Sequence, residues 1–185
     1  MEITPTELTG ACLITPVRKY DERGFFARTF CSDELATHGL ETEFVQHSIS
    51  QSRTRATIRG LHFQKHPHAE TKIVRCLRGA IWDVIVDLRP DSSTYCRWQA
   101  FELTEDNRLQ LYIPKGFAHG FQTLCSDAEV QYVISSFYAP DAASGVRFND
   151  PLLGIKWPLP AAAMSDRDRS WPDFNHDGMI RLTPA

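Results

Sequence analysis

Three residues in the middle of the chain, His62, Lys72 and Tyr132, are of types that together could move a proton next to a carbonyl group. An imidazole with an ordinary pKa of ~6.5 can accept a proton near neutral pH. A lysine ammonium facing the oxygen of the resulting enolate would stabilise the charge that develops there, often the largest single contribution to catalysis. A phenol with an ordinary pKa of ~10 can return a proton from the other side, which inverts the carbon. Taken singly, each has a plainer role. A histidine in a strand is more often a hydrogen-bonded core residue, a lysine a solvated charge, and a tyrosine a packing residue, so spacing alone does not single them out.

The neighbourhood of Lys72 is more informative. Gly60, His66, His68 and Gly79 fit the spacing of the first motif of the cupin superfamily, a glycine, two histidines, a glutamate and a second glycine, but Lys72 stands where the glutamate belongs. Pro114, Gly116 and His119 form the P-x-G-x-x-H of the second motif, with Thr123 in the place of its asparagine. An ammonium repels the divalent ion that a carboxylate attracts, so no bound metal is expected. Glu70 is the one shifted carboxylate that could restore a metal site. The plain alternative for His66 and His68 is a surface loop around Pro67.

The elements that must position these groups read as mostly β. Ser32 is placed to cap a helix of about two turns, Asp33 and Glu34 suit its positive end, and Gly39 can close it. From residue 44 onward the pattern is one of short β-prone runs. Ile73–Leu77 and 80–88 flank Arg78-Gly79, read as a hairpin turn, and further strands are expected at 98–103, 109–113, 117–124 and 129–134. In the run 80–88, Ala80, Trp82, Val84, Val86 and Leu88 form a wholly apolar face, expected to be the core side. Pro140, Pro151, Pro158, Pro160, Pro172 and Pro184 mark the segment after Tyr138 as an irregular C-terminal arm. The expected architecture is all-β, a cupin-like double-stranded β-helix or jelly roll, as one domain over residues 1–185.

Bulk properties exclude several classes. At 42% hydrophobic and 23% charged residues the composition is that of an ordinary globular protein, and no apolar run approaches the ~20 residues of a membrane span. Met1 is followed by acidic and polar residues rather than a leader pattern, so a cytoplasmic location is expected. Five scattered cysteines, with no C-x-x-C pair, argue against a disulfide framework or zinc ribbon. A net charge of −3 gives no pull toward nucleic acid.

Ordered blocks along the chain resemble one family. They are Asp21-Glu22-Arg23-Gly24-Phe25-Phe26, Phe44-Val45-Gln46, Arg59-Gly60-Leu61-His62-Phe63-Gln64, Lys72-Ile73-Val74-Arg75, 83–89, 113–121, Tyr138-Ala139-Pro140 and Asn149-Asp150-Pro151. With them the sequence resembles the dTDP-4-dehydrorhamnose 3,5-epimerase family from about residue 3 to about residue 175. The resemblance implies a cofactor-free epimerase of a nucleotide-linked 4-keto-6-deoxyhexose, with His62 as base, Lys72 near the C4 oxygen and Tyr132 as acid. It adds Asp168, in Met164-Ser165-Asp166-Arg167-Asp168, as the carboxylate behind His62. It also implies that Arg23, Gln46 and Arg59 meet the nucleotide or diphosphate, that Phe26 and Tyr138 supply aromatic contacts and that His119 belongs to the substrate pocket. Family members are dimers that exchange N-terminal strands, so a homodimer is implied.

The sequence departs from the family pattern in places. Arg28 stands where a glutamate is frequent, and an arginine there would donate to a base with an unprotonated N3, such as cytosine, so CDP is an alternative to dTDP. Ser48 replaces an asparagine, Val133 a lysine and Ala143 an acidic residue, which leaves open whether C3, C5 or both are inverted. The competing readings are a metal-dependent cupin oxygenase or isomerase, a sugar-nucleotide 3,4-ketoisomerase and a non-catalytic cupin that binds sugar nucleotides.

Overall fold

The computed structural model describes residues 1–174. In chain order the strands are β1 (Glu2–Pro5), β2 (Cys12–Thr15), β3 (Arg18–Asp21), β4 (Gly24–Ala27), β5 (Gln46–Ser52), β6 (Ile58–Gln64), β7 (Lys72–Arg78), β8 (Ala80–Asp87), β9 (Trp98–Thr104), β10 (Gln110–Ile113), β11 (Phe117–Thr123), β12 (Ala128–Ile134) and β13 (Ala143–Gly145). Helix α1 is Ser32–Ala36 and α2 is Asp166–Arg169. Among the described residues no helix is long and apolar enough to cross a membrane.

Two antiparallel sheets make a jelly roll. One has the order β1-β2-β10-β7-β12-β5, the other β13-β6-β11-β8-β9, and β3 and β4 form a separate ribbon. Between the sheets lie Val74, Cys76, Leu111, Ile113 and Val130 from the first and Ile81, Ile85, Leu103, Phe117 and Phe121 from the second. Val84, Val86, Leu88 and Ala118, on the other side of the second sheet, are covered by Val146, Leu153, Ile155 and Trp157 of the C-terminal arm. A smaller cluster joins Leu35 of α1 to Ile14, Ile73 and Tyr112.

Two sequence expectations change. Residues 78–79 are not a hairpin turn, because β7 pairs with β10 and β12 whereas β8 pairs with β9 and β11. The chain crosses between sheets there, and Gly79 at φ +78° takes a backbone conformation that favours glycine. The apolar face of β8 is a core side as the sequence indicates, buried against the arm rather than the other sheet. Ile81, Asp83 and Ile85 face inward, and the run of Val84, Val86 and Leu88 meets the arm. Alternation marks two faces but cannot rank them when both are buried. The cap of α1 is Cys31 with no side-chain hydrogen bond, so Ser32 is the first helical residue, and the helix has five residues rather than two turns.

Candidate active site

The face of β5 that carries Gln46, Ser48 and Ser50 has period two, and all three open on one cleft of about 710 Å³. Tyr132 lies on the neighbouring strand, opposite Ser48 on one side and Val74 on the other. The facing sheet supplies Arg59, His62 and Gln64 from β6 and His119 from β11, with His62 directly opposite His119. Just beyond this pair the β6–β11 register shifts. Gly60, at φ +130°, has no room for a side chain there, since a Cβ would sit 2.5 Å from Gly120 Cα. The close approach of the two glycines sets two imidazoles side by side on the cleft wall.

His62 Nε2 bonds Asp168 Oδ1 at 2.6 Å, and Asp168 Oδ2 accepts the Gly60 N–H at 3.2 Å. Asp168 lies on α2, capped by the Ser165 hydroxyl, which accepts the Asp168 N–H at 3.1 Å. Burial works against the charge on Asp168. The hydrogen bond and charge of His62, with the bonds from Gly60 and Ser165, outweigh it and hold the carboxyl below its usual range. A carboxylate there selects the tautomer with hydrogen on Nε2 and leaves the Nδ1 lone pair available. The His62 side chain is 44% exposed and that of Asp168 only 5%, so the imidazole is the more open of the two groups on the cleft.

Tyr132 shares a 3.1 Å hydrogen bond with the Ser50 hydroxyl. Burial pushes its phenol above the ordinary value, and nearby Asp83 adds to the rise, while Ser50 and Arg59 offset part of it. The phenol therefore stays protonated and able to donate across the neutral range. Lys72 Nζ lies 2.9 Å from Glu70 Oε1 and reaches the His62 carbonyl at 3.5 Å. Arg59 is held by the Ser52 hydroxyl at 3.0 Å and the Gln51 carbonyl at 2.8 Å. The Gln46 side-chain Oε1 accepts the Tyr138 N–H at 2.6 Å.

The cleft thus gathers His62, Lys72, Tyr132, Asp168, Gln46, Ser48, Arg59, His119 and Tyr138. Arg23, Phe26 and Arg28 do not line it. Phe26 is on the β3–β4 ribbon, Arg23 pairs with Asp21 at 2.5 Å, and Arg28 pairs with Glu34 at 2.6 Å. His66 and His68 are exposed on the β6–β7 loop, and Glu70, the shifted candidate ligand, pairs with Lys72. Among the described residues no three His, Cys, Asp or Glu side chains are grouped to hold a metal ion.

Sequence reasoning missed three participants and read a fourth, Glu70, as a shifted metal ligand. Asp83 bonds His119 Nε2 at 2.5 Å, Ser50 holds Tyr132, Glu70 holds Lys72, and the Trp171 ring stands edge-on to His62 at 6.4 Å. An aspartate on the alternating buried strand β8 was a usable signal for the first, because a buried carboxylate needs a partner. Trp171 gave none, since its position depends on how the arm folds back.

This fold and cleft define a jelly-roll isomerase of the sugar-epimerase class. The chain belongs to the dTDP-4-dehydrorhamnose 3,5-epimerase family, whose sequence profile matches residues 5–176. It is 43% identical over 169 residues to the dTDP-4-dehydrorhamnose 3,5-epimerase of Methanothermobacter thermautotrophicus, covering 90% of each chain. It is 39% identical over 185 residues to that of Escherichia coli, covering 98% of each. A crystal structure of the Bacillus anthracis enzyme with TDP and PPi bound superimposes with a TM-score of 0.90 at 45% identity, over 94% of this chain and 99% of that one. ChmJ, a 3'-monoepimerase from Streptomyces bikiniensis in complex with dTDP-quinovose, matches at TM-score 0.84 and 32% identity, over 92% of this chain and 86% of that one.

Proposed function

We propose that this single-domain chain is a cofactor-independent, cytoplasmic 3,5-epimerase of a dTDP-4-keto-6-deoxyhexose. The observation that carries the reading is the His62–Asp168 bond, which leaves the second imidazole nitrogen open toward a cleft that also presents an ammonium and a phenol. His62 Nδ1 takes the proton from a carbon next to the C4 ketone. The C–H electron pair forms the enolate, and the negative oxygen faces Lys72 Nζ. The Tyr132 hydroxyl delivers a proton to the opposite face as the enolate collapses, and solvent exchange resets both groups. Asp168 orients the imidazole and stabilises its protonated form, while Arg59, Gln46 and Tyr138 bind the nucleotide diphosphate end.

Arg23 and Phe26 enter this scheme through a homodimer in which the β3–β4 ribbon of one protomer reaches the cleft of its partner. The ribbon supports that reading, since Tyr20, Phe25 and Phe26 are exposed on it. The dTDP ligands of the solved relatives favour dTDP over CDP, and the ion pair of Arg28 with Glu34 favours a surface role for Arg28.

The test is to incubate the protein with dTDP- and CDP-4-keto-6-deoxyglucose in heavy water and locate deuterium by NMR. Exchange at C3 and C5 of the dTDP sugar is expected. Exchange at one carbon identifies a monoepimerase, faster exchange of the CDP sugar reassigns the nucleotide, and no exchange with either refutes the reading.

A further inference from the structure

Lys72 opens β7 beside Glu70, and both side chains are almost out of water, at 9% and 11% exposure on the wall of the cleft. An ammonium there needs a compensating anion, and Glu70 Oε1 at 2.9 Å supplies it. The other oxygen is itself held. Gln64 Nε2, with two hydrogens, lies within donor reach of Glu70 Oε2 at 3.0 Å, the His68 carbonyl at 3.0 Å and the Phe137 carbonyl at 3.2 Å, while Gln64 Oε1 accepts the Ala139 N–H at 2.7 Å. Turning this amide over would set its oxygen against three acceptors, so its orientation is fixed by its partners. Gln64 therefore clamps both loops beside the cleft and pins the carboxylate that holds Lys72.

An ammonium has three N–H donors and no acceptor. One of Lys72's is taken by Glu70 and a second points to the His62 carbonyl at 3.5 Å. These two anchors leave a third donor for a group in the cleft that Lys72 lines. We infer that Glu70 is a positioning residue that aims the Lys72 ammonium at the enolate oxygen, with Gln64 as its support. It acts through Lys72 and touches no reacting atom. Its place two residues before Lys72, facing the same cleft, follows from the strand-like period of residues 70 and 72. This inference rests on the epimerase reading and deepens it.

The experiment is a double-mutant cycle read by turnover of dTDP-4-keto-6-deoxyglucose and by the isotope effect with substrate deuterated at C3 and C5. Glu70→Gln should lower kcat by about tenfold to a hundredfold, as loss of a well-placed supporting group does. KM should change by less than about threefold, because ground-state binding is untouched. The isotope effect on kcat should rise as proton removal becomes slower. In a Lys72→Met background the same substitution should change kcat by less than about twofold, since residues acting through one another are not additive. A Glu70→Gln kcat within about twofold of wild type, or an equal loss in both backgrounds, overturns the inference. Should Glu70→Gln fail to fold, Glu70→Asp carries the cycle alone, keeping the charge but withdrawing it by one methylene. Loss only with Lys72 present supports the inference, and equal loss with and without it overturns it. If wild type itself shows no exchange, the epimerase reading falls; if wild type exchanges and Glu70→Gln matches it, only the role of Glu70 falls.

Discussion

The molecule holds two histidine–aspartate pairs a strand apart, made of the same groups at nearly the same distance. His62 meets Asp168 at 2.6 Å and His119 meets Asp83 at 2.5 Å, and the two histidines face one another across β6 and β11. Their settings differ. The His62 side chain is 44% exposed and its aspartate comes from a short helix in the arm, whereas His119 is 4% exposed and Asp83 is fully buried in β8. Asp83 Oδ2 has no hydrogen-bond partner among the described residues, while Asp168 uses both oxygens. Under the proposed epimerase reading, the comparison separates a hydrogen bond that prepares a base for chemistry from one that satisfies a buried strand. In the first pair one imidazole nitrogen is open to the cleft, and in the second the ring is almost out of water on the cleft wall.

Substitutions can break this contrast, beginning with the largest expected effect. His62→Asn should lower kcat by about a thousandfold or more by removing the base, yet leave the melting temperature within about 2 °C of wild type, because a half-exposed ring contributes little to stability. Asp168→Asn keeps the shape of the anchor but not its charge, and should lower kcat by about a hundredfold through loss of the tautomer and of imidazolium stabilisation. His119→Ala should act oppositely. Leaving Asp83 buried and unpaired should cost about 2–4 kcal/mol, seen as a fall of about 5–15 °C in melting temperature.

Acid titration sharpens the same distinction. The Asp168 carboxyl is held below its usual range despite burial, through His62, Gly60 and Ser165. A depressed native value favours the ionised folded form, so its contribution is present above the unfolded value of ~3.9 and is lost as pH falls through the native value. Asp168→Asn should therefore flatten the decline in stability below about pH 4, measured by urea unfolding at stepped pH. The smallest change belongs to Ser50→Ala, which removes the partner of the Tyr132 hydroxyl and should reduce kcat by about threefold to tenfold with KM unchanged.

Strands β7 to β12 were legible, most of them long enough for alternation to show, as in β8, β9, β11 and β12, whereas β5, β6 and β13 were not placed. Strands β1 to β4 escaped notice. Each has only four residues, and in β1, β3 and β4 most side chains are exposed, so there is little apolar period to read; β2 alternates but is too short to stand out. Which sheet a strand joins was not legible either. Gly79 suits a hairpin and a sheet crossing equally well, and only pairing partners distinguish them. In the site, His62, Lys72 and Tyr132 are of types suited to the chemistry, but the family resemblance was needed to single them out and to add Asp168. It sits on a four-residue helix 106 residues beyond His62, and no local pattern encodes that contact. Glu70 was legible as a carboxylate near Lys72 and was read as a candidate ligand, whereas the fold makes it the lysine's counter-ion.

The central claim, that the cleft-facing histidine removes the proton, is tested most directly by deuterium wash-in. Wild type and His62→Asn would be incubated with dTDP-4-keto-6-deoxyglucose in heavy water, with dTDP binding measured on the same samples to confirm an intact pocket. The account predicts rapid incorporation at C3 and C5 by wild type and none above background by His62→Asn, with dTDP affinity preserved. Incorporation by His62→Asn at the wild-type rate would contradict it.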